Sequence, residues 1–127
     1  MNSGCGALAG YVEGATISNC YVKGGKISAG GDAGGIVGAL AGYNNTTLIT
    51  DCYSDVSVTS TRRAGGISGL MGNTIMRNCS SYSSIKSLTK EWGAGGITGG
   101  CYINDVPHGR NVQIENCQVF NVNEELA

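Results

Sequence analysis

The sequence predicts an all-β protein, a parallel β-solenoid of about four rungs with about 30 residues in each. Two phrases that recur along the 127 residues carry this prediction. One reads Ala-Gly-Gly-Ile-x-Gly and occurs at 33–38, 64–69 and 94–99. The other ends in Asn-Cys or Asp-Cys, with its cysteines at Cys20, Cys52, Cys79 and Cys117. Self-similarity at such a period is typical of repeat proteins, whose stacked units bury one continuous core.

Alignment on the glycine phrase divides the chain, taken as a single domain over 1–127, into four repeats. They run over 1–32, 33–63, 64–93 and 94–127. The first repeat starts truncated, and its Gly4–Tyr11 aligns with Ile36–Tyr43 at an offset of 32. The spacing between the two phrases varies, which predicts a surface loop. The longest of these loops contains the only histidine, His108.

Each repeat is expected to contribute three short strands, because its β-branched runs are bounded by Gly, Asn and Asp. The two phrases are the first two strands, and a run such as Val56–Thr59 is the third. No window carries a capped apolar stripe of helical period, so no helix is predicted. Hairpin turn signals are absent, so each strand should pair in parallel with its counterpart one repeat on, through right-handed connections. A compact β-sandwich of the same strands is the alternative.

Parallel pairing stacks equivalent residues into interior columns. We expect three such columns, and the four recurring cysteines form one of them. The other two contain Ile17, Ile49, Met76 and Ile114, and Ile36, Ile67 and Ile97. The polar residues before the cysteines are expected to form a corner ladder, in which an amide bonds the next rung: Asn19, Asp51, Asn78 and Asn116. Columns of glycine would allow a close approach of the backbone where a side chain would collide.

The cysteines are expected to act as small buried hydrophobic residues, because four of the six share one repeat position. Disulfide pairing between neighbours in the column stays open. A metal site is not expected, since Cys-x-x-Cys is absent and the chain has one histidine. No other cofactor is expected.

Composition and motifs argue against several functions. The net charge is −1 and only 13% of residues are charged, so no broad basic surface for nucleic acid or anionic lipid is expected. No stretch approaches the ~18 apolar residues of a membrane span. His108 has no nucleophile motif beside it, and the scattered acids form no obvious pair for glycoside hydrolysis. We therefore expect no enzymatic activity, no nucleic-acid partner and no membrane insertion.

Tyrosines recur at equivalent positions as well. Tyr21 and Tyr53 share a column, as do Tyr11 and Tyr43 in the alignment above. If exposed, these pairs would offer platforms for a sugar ring. The alternative is that the rings cover loops or strand edges.

The Ala-Gly-Gly-Ile-x-Gly phrases, together with Cys20-Tyr21 and Cys52-Tyr53, resemble the GLUG motif repeat family over almost the whole chain. Such repeats are found in large bacterial surface and secreted proteins, including adhesin-like proteins and non-catalytic parts of immunoglobulin A peptidases. The resemblance implies a right-handed parallel β-helix and an extracellular or cell-surface location. It implies no reaction and no catalytic residues.

We therefore expect a structural or adhesive module that associates head to tail into filaments. No capping helix is visible at either end of the sequence, so the end rungs should present unpaired backbone groups to another strand. The expected partners are further copies of the chain, neighbouring repeats of a longer chain, or a surface glycan. The alternative is a glycan-binding module or a non-catalytic fragment of a larger secreted enzyme.

Overall fold

The computed structural model describes residues 4–40, 46–89, 93–100 and 112–120, which form sixteen short strands. The first repeat contains β1 (Gly4–Gly6), β2 (Ala9–Val12), β3 (Thr16–Ser18) and β4 (Tyr21–Ala29). The second contains β5 (Asp32–Gly34), β6 (Val37–Leu40), β7 (Thr47–Thr50) and β8 (Tyr53–Ser60). The third contains β9 (Ala64–Gly65), β10 (Ser68–Met71), β11 (Thr74–Arg77), β12 (Ser80–Ser81) and β13 (Ser84–Ser87). The fourth contains β14 (Ala94–Gly95), β15 (Val112–Glu115) and β16 (Gln118–Val119).

Each of the first three repeats contributes strands to four different sheets, and every pairing in the described ranges is parallel. The first sheet has the order β1-β5-β9-β14, the second β2-β6-β10 and the third β3-β7-β11-β15. In the fourth, β8 pairs with β4 on one side and with β12 and β13 on the other, and β16 follows β12. The predicted all-β class with parallel sheets is therefore confirmed. None of the four sheets, as far as the structure describes them, closes on itself.

The glycine phrase forms two strands, whereas the sequence predicts one. In the second repeat β5 ends at Gly34 and β6 begins at Val37, so the chain turns at Gly35 and Ile36. A Cβ atom on Gly35 would collide with the carbonyl oxygen of Gly66 and would lie 2.7 Å from Ser54 Oγ. The turn is therefore possible only without a side chain. The first three repeats consequently contain at least four strands each, and the expectation of three is wrong.

The first two repeats also pair differently from the sequence alignment. Gly6 lies opposite Gly34 instead of Gly38, and Tyr11 lies opposite Ala39. Ala-Leu-Ala occurs at 7–9 and again at 39–41, and this chance identity favours the wrong register. The proposed column of Tyr11 with Tyr43 is therefore wrong for Tyr11, and Tyr43 lies outside the described residues, as does the loop with His108. The third sheet keeps the expected pairing of Ile17 with Ile49.

Glycine allows the first and second sheets to touch through their backbones. A Cβ atom on Gly69 of β10 would lie 2.6 Å from Ala33 N and 2.7 Å from Gly38 O. A Cβ atom on Gly99 would lie 2.7 Å from Ala64 N. Stacked sheets with side chains between them are about 10 Å apart. The last glycine of each phrase is thus explained by a backbone contact that any side chain would block.

The buried side chains form two clusters. The larger contains members of all three predicted columns and three neighbours: Ile17, Ile36, Ile49, Cys52, Ile67, Met76 and Cys79, with Val37, Leu40 and Met71. Ile97, Cys20 and Cys117 are half-buried against it. The smaller cluster lies between the first and fourth sheets and contains Ile27, Ala33, Val56, Val58 and Ala64.

Ile114 is a correction to the predicted first column. It lies opposite Met76, but its side chain is 43% exposed. The reason is that β15 is an edge strand of the third sheet, and no described strand pairs with its other side.

The residues of the predicted corner ladder turn the chain between the third and fourth sheets. Their φ angles are all positive: Asn19 54°, Asp51 57°, Asn78 54° and Asn116 53°. Asn and Asp are the residues other than glycine that adopt this left-handed conformation most readily. The Asn116 amide donates a hydrogen bond to Asn78 Oδ1 at 2.6 Å, whereas the Asp51 carboxylate accepts one from Thr50. Backbone conformation therefore explains this column better than a continuous amide ladder.

A buried carboxylate holds the connection between β8 and β9. Asp32, at the start of β5, is fully buried. Arg63 Nη1 donates a hydrogen bond to Asp32 Oδ1 at 3.3 Å, and Arg62 Nε lies 4.0 Å from the same oxygen. A buried charge is stable only when it is paired, so this ion pair fixes the two arginines over the first sheet.

Candidate functional site

Four aromatic side chains form a row across the fourth sheet. Tyr21 and Tyr53 are stacked, with ring centroids 5.1 Å apart and planes 5° from parallel. Tyr82 and Phe120 are stacked in the same way, at 4.7 Å and 9°. The two stacks meet at a right angle, because the rings of Tyr53 and Tyr82 lie 6.0 Å apart with planes at 82°.

Strand register brings these rings together. Tyr21 lies opposite Tyr53, and Ser80 occupies the equivalent position in the third repeat. The ring of that repeat comes two residues later, at Tyr82, and the ring of the fourth follows at Phe120, whose N–H bonds Ser81 O. Side chains two residues apart on a strand lie on the same face. The rings of the third and fourth repeats are therefore shifted by two residues from those of the first and second, and all four rings lie on the outer face of the sheet.

The inner face of the same strands carries the core. Along β8, buried and half-buried residues alternate strictly from Tyr53 to Ser60. Ser54, Val56 and Val58 point inward, whereas Tyr53 and Asp55 point outward. The Tyr53 ring is consequently held on a strand whose opposite face is fixed by the core.

A shallow groove of about 310 Å³ lies where the two ring stacks meet. Its lining consists of Lys23, Tyr53, Asp55, Ser80 and Tyr82. Lys23 and Asp55 lie directly opposite each other on β4 and β8. The salt bridges among the described residues all involve other side chains, so both charges are available to a ligand.

A β-bulge adjoins the groove. After Lys23, strand β4 contains Gly24 and Gly25 with φ of +81° and +105°, and pairing with β8 resumes at Lys26. Such φ values favour glycine, which lacks the Cβ atom that would make them costly. No atom lies within 4 Å of the position that a Cβ would take on either glycine, so the space beside the bulge is open. Bulges of this kind occur frequently beside functional sites.

The structure brings together two of the four tyrosines that the sequence singles out, Tyr21 and Tyr53. Tyr11 lies on β2 in another sheet, where its hydroxyl donates a hydrogen bond to Glu13 at 3.2 Å. Sequence reasoning missed Tyr82 and Phe120, because they are shifted by two residues from the tyrosine column. The alternation of strand residues between two faces was the signal that could have identified them.

The cysteine column packs along the core with free thiols. Cys52 and Cys79 donate hydrogen bonds to the carbonyl oxygens of Thr50 and Arg77, each at 3.3 Å. A side-chain hydrogen bond with Cys52, together with burial, raises the pKa of the Cys79 thiol. The five cysteines that the structure describes are all unpaired. No cluster of three or more His, Cys, Asp or Glu side chains suited to a metal occurs in the described ranges.

The family model described as the GLUG motif matches residues 1–28. This segment covers β1, β2, β3 and most of β4, which is one strand in each of the four sheets. The match supports a GLUG motif in this segment, which lies in the first repeat of the chain. No curated protein and no solved structure matches the chain. In the described residues, no helix has the length and apolar character needed to cross a membrane.

Proposed function

We propose that this chain of GLUG repeats is a non-enzymatic, right-handed β-solenoid module with a structural or adhesive role in an extracellular or cell-surface bacterial protein. The pairing pattern carries the proposal, since strands pair with their counterparts one repeat on in all four sheets. Stacked repeats of this kind form extended scaffolds in which each unit contacts mainly its neighbours. The location rests on the family resemblance.

The edge strands support head-to-tail stacking. Tyr21 is 65% exposed on the first rung, and Ile114 and Val119 are 43% and 50% exposed on the last. Edge strands also present backbone donors and acceptors that lack a partner strand. If β15 of one copy pairs with β3 of the next, the hydrophobic columns continue through the junction. Such a contact is heterologous and open, so it generates filaments. Neighbouring repeats of a longer chain would cover the same edges.

The groove supports a non-catalytic role. Hydrolysis of a glycosidic bond needs two carboxyl groups about 5–9.5 Å apart. Asp55 is the only carboxylate among the residues that line the groove. Incubation with polysaccharides should therefore release no reducing ends, and release that is lost in Asp55→Asn would contradict the proposal.

Light scattering and negative-stain microscopy across a concentration series test the stacking. We expect the mass to rise with concentration and filaments to appear. Ile114→Lys places a charge on the edge strand β15 and should reduce the mass. Leu48→Lys alters a half-buried apolar side chain on β7, which is paired on both sides in the same sheet, so it serves as the matched control. A wild-type protein that stays monomeric at high concentration would reject self-association and leave only a role within a longer repeat array.

A glycan-binding module is the second candidate function. The row of four rings on the outer face of the fourth sheet favours it. Exposed aromatic rings beside polar groups are common in sites that bind small molecules.

A further inference from the structure

We propose that the groove lined by Lys23, Tyr53, Asp55, Ser80 and Tyr82 binds a neutral, pyranose-containing glycan. The inference rests on the glycan-binding candidate above and names its site and ligand class. This inference is independent of head-to-tail stacking. The groove lies on the outer face of the fourth sheet, and it includes Tyr53 and Asp55 of β8, which is paired on both sides.

The right-angled meeting of the two ring stacks provides the apolar part of the site. One face of Tyr53 is covered by Tyr21, and one face of Tyr82 by Phe120. Tyr53 and Tyr82 meet edge to face at 82°, and both rings line the groove. An aromatic face is electronegative, and the C–H groups of a pyranose ring carry partial positive charge. A sugar that enters the corner would rest on one ring and contact the edge of the other.

The polar residues match the hydroxyl groups of a sugar. The Asp55 carboxylate has two oxygens that accept hydrogen bonds from neighbouring hydroxyls, and the Lys23 ammonium donates up to three. The Ser80 hydroxyl both donates and accepts. Hydrogen bonds to charged groups are the stronger ones, so this pair would orient the ring.

The charge balance of the groove selects a neutral ligand. It contains one cation and one anion, and these lie opposite each other on neighbouring strands. A sulfated or carboxylated glycan would need a surplus of positive charge, and the carboxylate of Asp55 would repel it. A neutral polyhydroxylated ring uses both groups without such a penalty.

The size and openness of the groove fit a chain of sugars. Its volume of about 310 Å³ is at the lower end of the range for small-molecule sites. The bulge at Gly24 and Gly25 follows Lys23 directly, and the space where side chains of these two residues would lie is empty. A glycan chain can therefore leave the site beside the bulge while one ring stays in the corner.

A glycan array followed by calorimetric titration tests the inference. The array carries neutral gluco-, galacto- and manno-oligosaccharides, with heparin fragments as the sulfated set. We expect the wild-type chain to retain a neutral oligosaccharide, which is then used for the titration. Asp55→Asn and Lys23→Met should each weaken binding about tenfold, because each removes hydrogen bonds to a charged group. Tyr53→Ala should remove binding.

Lys86→Met is the matched control, because Lys86 is an exposed lysine on the same face of the fourth sheet but outside the groove. It should leave the affinity unchanged. Asp55→Asn and Lys23→Met change charge on the surface with little effect on packing, so a folding defect in Tyr53→Ala would not obscure the result.

Retention of no neutral oligosaccharide by the folded chain would overturn the inference. The same conclusion follows if heparin fragments bind instead, or if the groove variants bind as tightly as the wild type. Light scattering on the same samples separates the two proposals, because filaments without glycan binding would reject the site alone.

Discussion

Replacing Gly69 by alanine tests the direct backbone contact between the first and second sheets. The new Cβ would lie 2.6 Å from Ala33 N, 2.7 Å from Gly38 O and 2.8 Å from Ala33 O. An ordinary contact distance is about 3.5 Å, so these contacts must lengthen by about 0.7–0.9 Å. All three atoms belong to backbone, and the strands that carry them are paired on both sides. Relief therefore requires displacement of whole strands.

Overpacking a core usually costs about 1–3 kcal/mol and occasionally more. Because no flexible side chain can absorb the clash, we expect Gly69→Ala to lower the free energy of unfolding by about 3 kcal/mol. For a chain of this size the melting temperature should fall by about 10 °C. Urea denaturation followed by circular dichroism measures the first quantity, and thermal melting measures the second.

Gly30→Ala is the matched control. Gly30 is exposed, and the only atom near its would-be Cβ is Thr61 Oγ1 at 3.9 Å. Its free energy of unfolding should stay the same or rise by about 0.4–1 kcal/mol, since alanine restricts the unfolded chain. A loss below about 1 kcal/mol in Gly69→Ala would refute the close packing of the two sheets.

Five further substitutions test the core, the corners and the buried ion pair, each by equilibrium denaturation. Ile49→Ala should cost about 2–5 kcal/mol because Ile49 is fully buried, whereas Ile114→Ala should cost less than about 1 kcal/mol; equal losses would contradict the assigned burial. Asn78→Val should destabilise by about 1–3 kcal/mol because a β-branched residue resists its positive φ, while Asn78→Gly should be tolerated; the reverse order would contradict the role of the corner. Asp32→Ala should lower the free energy of unfolding by about 1–3 kcal/mol, because the side chain of Arg63 keeps 20% exposure and water can still solvate its charge. An unchanged free energy of unfolding would refute a stabilising ion pair.

The column residues were predictable because each repeat buries the same positions. Ile49 and Cys52 recur with fixed spacing in the sequence, and both are buried where the strands stack. Parallel pairing followed from the same spacing, since equivalent segments can align only if neighbouring strands run in one direction. A residue such as Ile114 shares the pattern but lies on an edge strand, and its exposure depends on what packs beside it.

The division of the glycine phrase into two strands was not predictable from composition or spacing. The turn at Gly35 and the contact of Gly69 with Ala33 depend on backbone atoms that are distant in sequence. The pairing of the first repeat depends on the same contacts. The sequence alignment instead followed the chance recurrence of Ala-Leu-Ala at 7–9 and 39–41, and it therefore gave the wrong register. The sequence predicted that the glycines have a structural role. Only the packing identifies the backbone and side-chain atoms with which a Cβ at each position would collide.

Half of the aromatic row, but only Tyr53 among the residues that line the groove, was singled out by the sequence. Tyr21 and Tyr53 recur at the same repeat position and stack as neighbours. Tyr82 follows a different offset. The register that stacks Tyr21 on Tyr53 also places Lys23 opposite Asp55, but neither charge belongs to a recurring motif that would single it out. The site therefore emerges only when the strands are placed side by side.

An experimental crystal or cryo-electron microscopy map tests the central claim most directly. The account predicts that the segments around Ile17, Ile49 and Met76 form adjacent parallel strands about 4.8 Å apart, with each isoleucine or methionine stacked on the next. It also predicts that every turn of the chain passes through all four sheets. Antiparallel pairing between these segments, or pairing of strands within one repeat, would contradict it.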